Sequence, residues 1–203
     1  MTVEKGKAWG AVGEPPPNMA LEASDASARR VVEAARLSGA AVPPLGLLGG
    51  DLCRTIGGRG DAGRLASAEA LAVPIDVGVA VVDGERHWFV AHLVVRRSWW
   101  FGRVYVAMNA QYIGTWDVAP RAHPNDGRLD TLDVELGVGE RLKAWRRLRS
   151  GMHVPHPRIR ERRIRSVEVE FDRPTPVYLD GERVGSARRL EVAVEPDAIT
   201  CVV

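Results

Sequence analysis

Three short stretches carry residue types that could do chemistry. In Gly49-Gly50-Asp51-Leu52-Cys53-Arg54-Thr55-Ile56-Gly57, glycines stand between an apolar run and the start of a helical segment. Backbone amides in such a turn can approach an anion, and the dipole of the helix that follows favours negative charge. Glycine at a strand-to-helix turn also serves purely steric ends, so the motif alone does not choose. His123-Pro124-Asn125-Asp126-Gly127-Arg128-Leu129-Asp130 crowds a histidine and two carboxylates around one turn. Asn-Asp-Gly is ordinary turn chemistry, because Asp bonds its own backbone and Gly accepts positive φ. The functional alternative makes Asp126 a general base or a Mg²⁺ contact, since a carboxylate near an anionic nucleotide can have a raised pKa and take a hydroxyl proton. Asp180-Gly181-Glu182 repeats the acidic turn, and in isolation it reads as a hairpin tip.

Other groups are less suggestive. His153 with His156, and His87 with His92, lack a nearby Cys or an acidic partner in register. Pro155 also opposes a helix that would present the first pair on one face, so metal ligation by these pairs is disfavoured. Arg59-Gly60-Asp61 reads as a loop leading to a helix cap. Trp99-Trp100-Phe101 follows Arg96 and Arg97. That cluster suits core packing at a strand bend or, alternatively, contact with a lipid headgroup layer.

The elements that must position these residues change character along the chain. Pro15, Pro16 and Pro17 with several glycines make residues 1–20 a tether, with at most a short edge strand before Ala23. Ser24 or Asp25 can cap a helix whose apolar residues Val31, Val32, Ala35 and Leu37 follow helical spacing, with Gly39 as its stop. Residues 45–48 read as a buried strand, 51–56 as a helical turn, and Asp61 as the cap of a helix reaching Leu71. Residues 21–73 thus form part of an α/β layer. Beyond Pro74 the pattern is β: 75–82 and 86–97 flank the tight turn Asp83-Gly84. Further strands are expected at 103–109, 112–118, 130–136, 164–171, 175–179, 189–194 and 198–203. Leu142, Trp145 and Leu148 recur every third residue before Gly151, so one helix over 139–150 crosses the sheets. The expected class is α+β, with a β-sandwich-like domain over 74–203.

Composition narrows the function classes. With 28 basic and 26 acidic residues in 203, bulk charge gives no drive toward nucleic acid. Arginines cluster over 141–149 and 158–165, which reads as a solvated face. Cys53 and Cys201 suggest neither a disulfide scaffold nor paired metal motifs. The charged start over residues 1–7 precedes no apolar run, and no stretch approaches the roughly 20 apolar residues of a spanning helix, so a cytoplasmic location is expected.

In order, these pieces resemble the bacterial diacylglycerol kinases and their sphingosine-kinase relatives, within the NAD-kinase-like superfamily. Residues 47–57 are similar to the second half of that family's Pro-x-Gly-Thr-x-Asn-Asp-(Leu/Phe)-Ala-Arg-x-Leu-Gly segment. Ile75-Asp76-Val77-Gly78 matches its Ile-Asp-Leu-Gly strand. Asn109, Gly114, Pro120 and Asp126-Gly127-Arg128-Leu129-Asp130 follow in the family's order, then a His-x-x-His-Pro-like strand over 153–157 and the final Asp180-Gly181-Glu182. The resemblance implies a lipid kinase using ATP and Mg²⁺, with residues 21–73 the remnant of its nucleotide-binding lobe. It makes Asp126 the catalytic base, Asp126 and Asp130 metal contacts, and Asp25, Gly49, Gly50, Asp51, Gly181 and Glu182 the nucleotide-facing positions. The family's Gly-Gly-Asp-Gly-Thr loop stands here as Ala23-Ser24-Asp25-Ala26-Ser27, retaining only the aspartate. Gly-Thr-Gly-Asn is shortened to Gly49-Gly50, and the resemblance begins near residue 20. Side chains at the loop positions obstruct the backbone approach to phosphate that glycine permits. The alternative expectation is therefore a non-catalytic, lipid- or partner-binding pseudokinase homologue. A lipid or membrane surface, a homodimer or a chain completing the nucleotide lobe are the partners it suggests, with location peripheral to the membrane.

Overall fold

In a computed structural model, residues 9–203 of the chain are described; the charged start read above at residues 1–7 lies outside them. The first helix, α1 (Asp25–Ser38), begins where the sequence says it should. Ser24 accepts from the Ser27 amide at 3.2 Å while the Ser27 hydroxyl accepts from the Ser24 amide at 3.2 Å, a reciprocal cap. Gly39 ends the helix in the left-handed conformation at φ 71°. Strands β1 (Ala11–Gly13) and β2 (Ala20–Glu22) precede it, and β3 (Leu45–Leu47) follows. Two short helices, α2 (Asp51–Thr55) and α3 (Ala62–Leu65), complete this part; Asp61 caps α3 through the Gly63 and Arg64 amides.

An 11-stranded sheet dominates the rest. Its path runs β1, β4 (Ala70–Val82), β13 (Glu182–Val202), β12 (Ser166–Leu179), β6 (His92–Val95), β7 (Val104–Met108), β10 (Leu129–Val134) and β11 (Ile159–Ile164). β5 (Glu85–Phe89) pairs with β4, and β3 pairs in parallel with both β2 and the last residues of β13. The α/β layer is therefore hydrogen-bonded into the same sheet as the β-rich part. Strands β6 and β7 are buried on both faces, and alternation decides which core each residue joins. Leu93, Val95, Tyr105 and Ala107 enter the cluster with Phe89, Leu179 and Leu190, whereas Val94, Val104, Val106 and Met108 face a second cluster with Leu132 and Leu136. That second cluster is covered by α4 (Val138–Leu148) and by a hairpin, β8 (Tyr112–Ile113) and β9 (Trp116–Asp117).

The α+β class, the first helix and the late crossing helix are as expected, but several boundaries move. The helix expected to reach Leu71 stops at Leu65, because Ala70 and Leu71 pair with Gly13 and Val12 and Leu71 also exchanges hydrogen bonds with Val203. Residues 86–97 break into β5 and β6 where the backbone turns its amides to an acidic side chain. Residues 112–118 are a two-stranded hairpin. Each pair of strands expected at 164–171 and 175–179, and at 189–194 and 198–203, is one strand running through a bulge. Residues 153–157 form a turn with a single bridge, not a strand. β11 has no counterpart among the expected strands, because its charged sequence lacks apolar alternation; it lies at the end of the sheet with its arginines exposed.

Gly78 stands opposite Phe89, whose ring occupies the space a Cβ would need. Gly78→Ala should cost about 1–3 kcal/mol in urea unfolding, and adding Phe89→Leu should recover part of that loss.

Candidate functional site

The loop between β5 and β6 presents three successive amides to one carboxylate. Asp180 accepts from Val90, Ala91 and His92, each at 2.9 Å, and its own amide returns to the His92 carbonyl at 2.9 Å. Asp180 sits in a positive-φ turn with Gly181 and is 7% exposed. Burial pushes its carboxyl above the ordinary range, opposed by the imidazole of His92 and the three amides. Because the amides fix His92, its ring reaches across to Asp51 at the start of α2, Nε2 to Oδ2, at 3.2 Å.

The Asp51 carboxylate is held from two sides. Both its oxygens accept from the Gly114 amide, at 2.9 and 3.0 Å, in addition to the His92 contact. Burial would raise its pKa, but the His92 and Gly114 bonds, with the nearby Arg54, hold it below the ordinary value. His92 answers in kind: burial alone would depress its pKa, yet the bond to Asp51 and the Asp180 and Asp25 carboxylates keep it above its ordinary value. The carboxylates around this buried imidazole favour its protonated form.

Asp25 closes the group. Its carboxylate accepts from the amides of Asp51 at 2.5 Å and Leu52 at 3.1 Å, the first amides of α2. Burial, then repulsion from Asp180, raises it from 3.8 to about 6 against those two hydrogen bonds. A Cβ on Gly50 would overlap this carboxylate, and one on Gly49 would press on the Ala23 carbonyl at 2.6 Å. The two glycines thus admit the chain's own α1 start, and the α2 amides available to an anion are already taken.

The remaining expected residues lie elsewhere. Glu182 accepts from Arg29 and Arg30, each at 2.6 Å, on α1. Asp126 pairs with Arg163, which also stands 3.5 Å from Asp130. Burial is the main cause raising Asp130 to about 6, with Asp126 adding to it and Arg163 opposing. Asp76, 1% exposed, shapes that turn by accepting from the amides of Gly127 at 2.6 Å and Asp197 at 2.8 Å. No hydrogen bond or ion pair among the described residues joins Asp126 or Asp130 to the cluster. His87 faces Glu33 and His153 the Val118 carbonyl, so neither histidine pair converges. Asp25, Asp51 and His92 do bring ligand atoms within 4.8 Å of one another. Two carboxylates and an imidazole suit a borderline divalent ion better than Mg²⁺, which demands oxygen ligands in an octahedron.

An apolar cavity of about 260 Å³, with no cluster residue in its lining, shares one element with the cluster. Four of the six tryptophans, Trp99, Trp100, Trp116 and Trp145, line it together with Leu132 and Ile113. Trp99 and Trp116 meet edge to face at 5.3 Å. The β8–β9 hairpin is shared: Ile113 and Trp116 face the cavity while the Gly114 amide holds Asp51. Arg54 pins the hairpin from α2, donating to the Gly114 carbonyl at 3.0 Å and stacking 3.7 Å from the Tyr112 ring.

The model of the YegS C-terminal NAD kinase beta sandwich-like domain matches residues 65–203. The chain belongs to this family. This agrees with the NAD-kinase-like superfamily that the motif order implied. Solved structures share the fold. A candidate diacylglycerol kinase from Bacillus anthracis str. Sterne superposes with TM-score 0.67 at 15% identity, over 91% of this chain and 77% of that one. A second structure of such a protein from that organism gives 0.64 at 15% identity, over 79% and 69%. A diacylglycerol kinase, again from that organism, gives 0.55 at 16% identity, over 79% and 66%. No significant match was found among curated proteins.

Sequence reasoning placed Asp25 and Asp51 correctly at helix starts but assigned no role to Asp180 or His92. Nothing local marks either one; the signal is the pairing of a hairpin-tip acid with a break in an apolar run. Two consequences are measurable. Asp25 binds its proton more tightly folded than unfolded, so its contribution to stability is greatest below about pH 4 and is lost as pH rises toward 6. Asp25→Asn, which can accept at only one oxygen, should melt below wild type at acid pH and close that gap near neutrality. Asp180→Ala leaves three buried amides without an acceptor and should cost at least about 3 kcal/mol by denaturant unfolding.

Proposed function

We propose that this chain binds a lipid, with its apolar chain in the Trp-lined cavity and its polar head toward Asp51 and His92, and does not itself transfer phosphate. The observation that carries this reading is the shared hairpin, which puts Ile113 and Trp116 in the cavity wall and the Gly114 amide on Asp51. A lipid needs that combination: an apolar cleft and polar groups near one end to orient the head. The volume is near the lower end of small-ligand pockets, which run from roughly 300 to 1,000 Å³.

The phosphate side of kinase chemistry finds little support in these residues. Phosphoryl transfer depends on positioned amides and Mg²⁺ around the phosphates. Here the Asp25 carboxylate fills the α2 amides, the loop glycines are replaced by Ala23, Ser24 and Ala26, and an imidazole stands where oxygen ligands are wanted. A second reading, ATP- and Mg²⁺-dependent phosphorylation of a lipid hydroxyl, is supported by the family match over residues 65–203, with Asp126 as its base.

Thermal unfolding separates the two. Diacylglycerol in mixed micelles should raise the melting midpoint and shift tryptophan fluorescence, by an amount equivalent to about 2.7 kcal/mol at 100 times the dissociation constant. Leu132→Trp, which fills the cavity, should abolish both effects, whereas Mg·ATP should leave the midpoint unchanged. Labelled phosphate appearing on diacylglycerol, and disappearing in Asp126→Asn with the melting midpoint unchanged, would establish the kinase reading instead.

A further inference from the structure

The outer side of α4 carries apolar residues left largely exposed. Val138, Leu142 and Trp145, spaced i, i+4 and i+7, are 52%, 40% and 44% exposed. Ala144 and Leu148 of the same helix pack inward on the cavity cluster, Trp145 stands at the cavity's rim, and Val138 and Leu142 lie outside its lining. A second element joins it. The buried Arg141 donates to the carbonyls of Leu136 and Trp99, each at 2.9 Å, and to that of Gly102. Those bonds clamp both ends of the turn holding Trp100 and Phe101, and the two aromatics project at 41% and 65% exposure. Trp100 meets Trp145 with ring centroids 6.2 Å apart, which makes helix and turn one ridge.

The exposed charge on these two elements is mainly basic. Arg97, Lys143, Arg146, Arg147 and Arg149 are all exposed on the same two elements. The helix's one acidic residue, Glu140, is neutralised by Arg158 at 3.0 Å. Exposed aromatics on elements rich in exposed cations match the layered chemistry of a bilayer surface: rings at the headgroup boundary, guanidinium groups on lipid phosphates. A protein partner of ordinary composition would need a complementary acidic rim around an apolar groove, whereas an anionic membrane supplies both features everywhere on its surface.

We propose that Trp100, Phe101, Leu142 and Trp145, with the arginines around them, dock this protein on anionic phospholipid bilayers. Docking sets α4, one wall of the cavity, against the membrane that supplies its lipid, and in this purpose it rests on the lipid-binding reading; the surface itself does not. The full chain should float with phosphatidylcholine vesicles containing phosphatidylglycerol, far less with phosphatidylcholine alone, and less as salt rises. Phe101→Asp combined with Leu142→Asp, neither residue lining the cavity, should reduce flotation at least tenfold while leaving the micellar diacylglycerol shift intact. Arg146→Glu with Arg149→Glu should do the same without altering an apolar residue. Leu132→Trp should float like wild type, so failure of the cavity reading is distinguishable from failure of docking. Flotation indifferent to phosphatidylglycerol or to both double variants would overturn the proposal. So would concentration-dependent dimerisation, abolished by Phe101→Asp with Leu142→Asp, in a protein that does not float.

Discussion

Asp180 accepts the amides of Val90, Ala91 and His92 inside the protein, and the arrangement of the candidate site follows from that contact. Three amides facing one way cannot belong to a regular strand, so β5 ends and β6 begins at this point. The chain leaves the turn with the His92 ring directed at Asp51, and Asp51 in turn holds Gly114 and the β8–β9 hairpin. Residues far apart in sequence are thereby placed by one buried carboxylate. Its ionised form is tolerable there because amides and an imidazole replace water.

The acid cluster is a closed electrostatic unit. Asp25 satisfies the first amides of α2, His92 balances the neighbouring carboxylates, and Glu182 is engaged by Arg29 and Arg30. Asp25 and Glu182, which the family resemblance turns toward a nucleotide, are thus both engaged by the protein's own groups. The glycines at 49 and 50 survive because the α1 start lies against them, and that packing is sufficient reason for residues without a Cβ.

Much of the fold was legible in the sequence where one physical signal dominated. Ser24 and Gly39 bracket α1 as caps do, and the β-branched runs after Pro74 are strands. Boundaries failed where tertiary contacts outvoted local pattern: Ala70 and Leu71 follow a helical stretch but are drawn into the sheet by β1 and Val203. β11 escaped notice because an edge strand needs no apolar face. For the site, acids at turn positions were visible, yet their grouping was not. Asp126 and Asp130 share a motif with the family and sit with Arg163; Asp180 looked like a hairpin tip and is the buried centre. Which acids converge depends on sheet order, and sheet order is not written locally.

Strand β13 pairs with β4 and β12 along its length and with β3 at its end, and it lies later in the chain than all of them. During synthesis, β4 and β12 therefore leave the ribosome with apolar faces and open edges but no common neighbour. Neither core cluster that spans them can close until residues near 200 have emerged, so the nascent chain spends most of its translation in need of protection against edge-to-edge association. Contacts of such sequence separation also predict slow folding for the released chain.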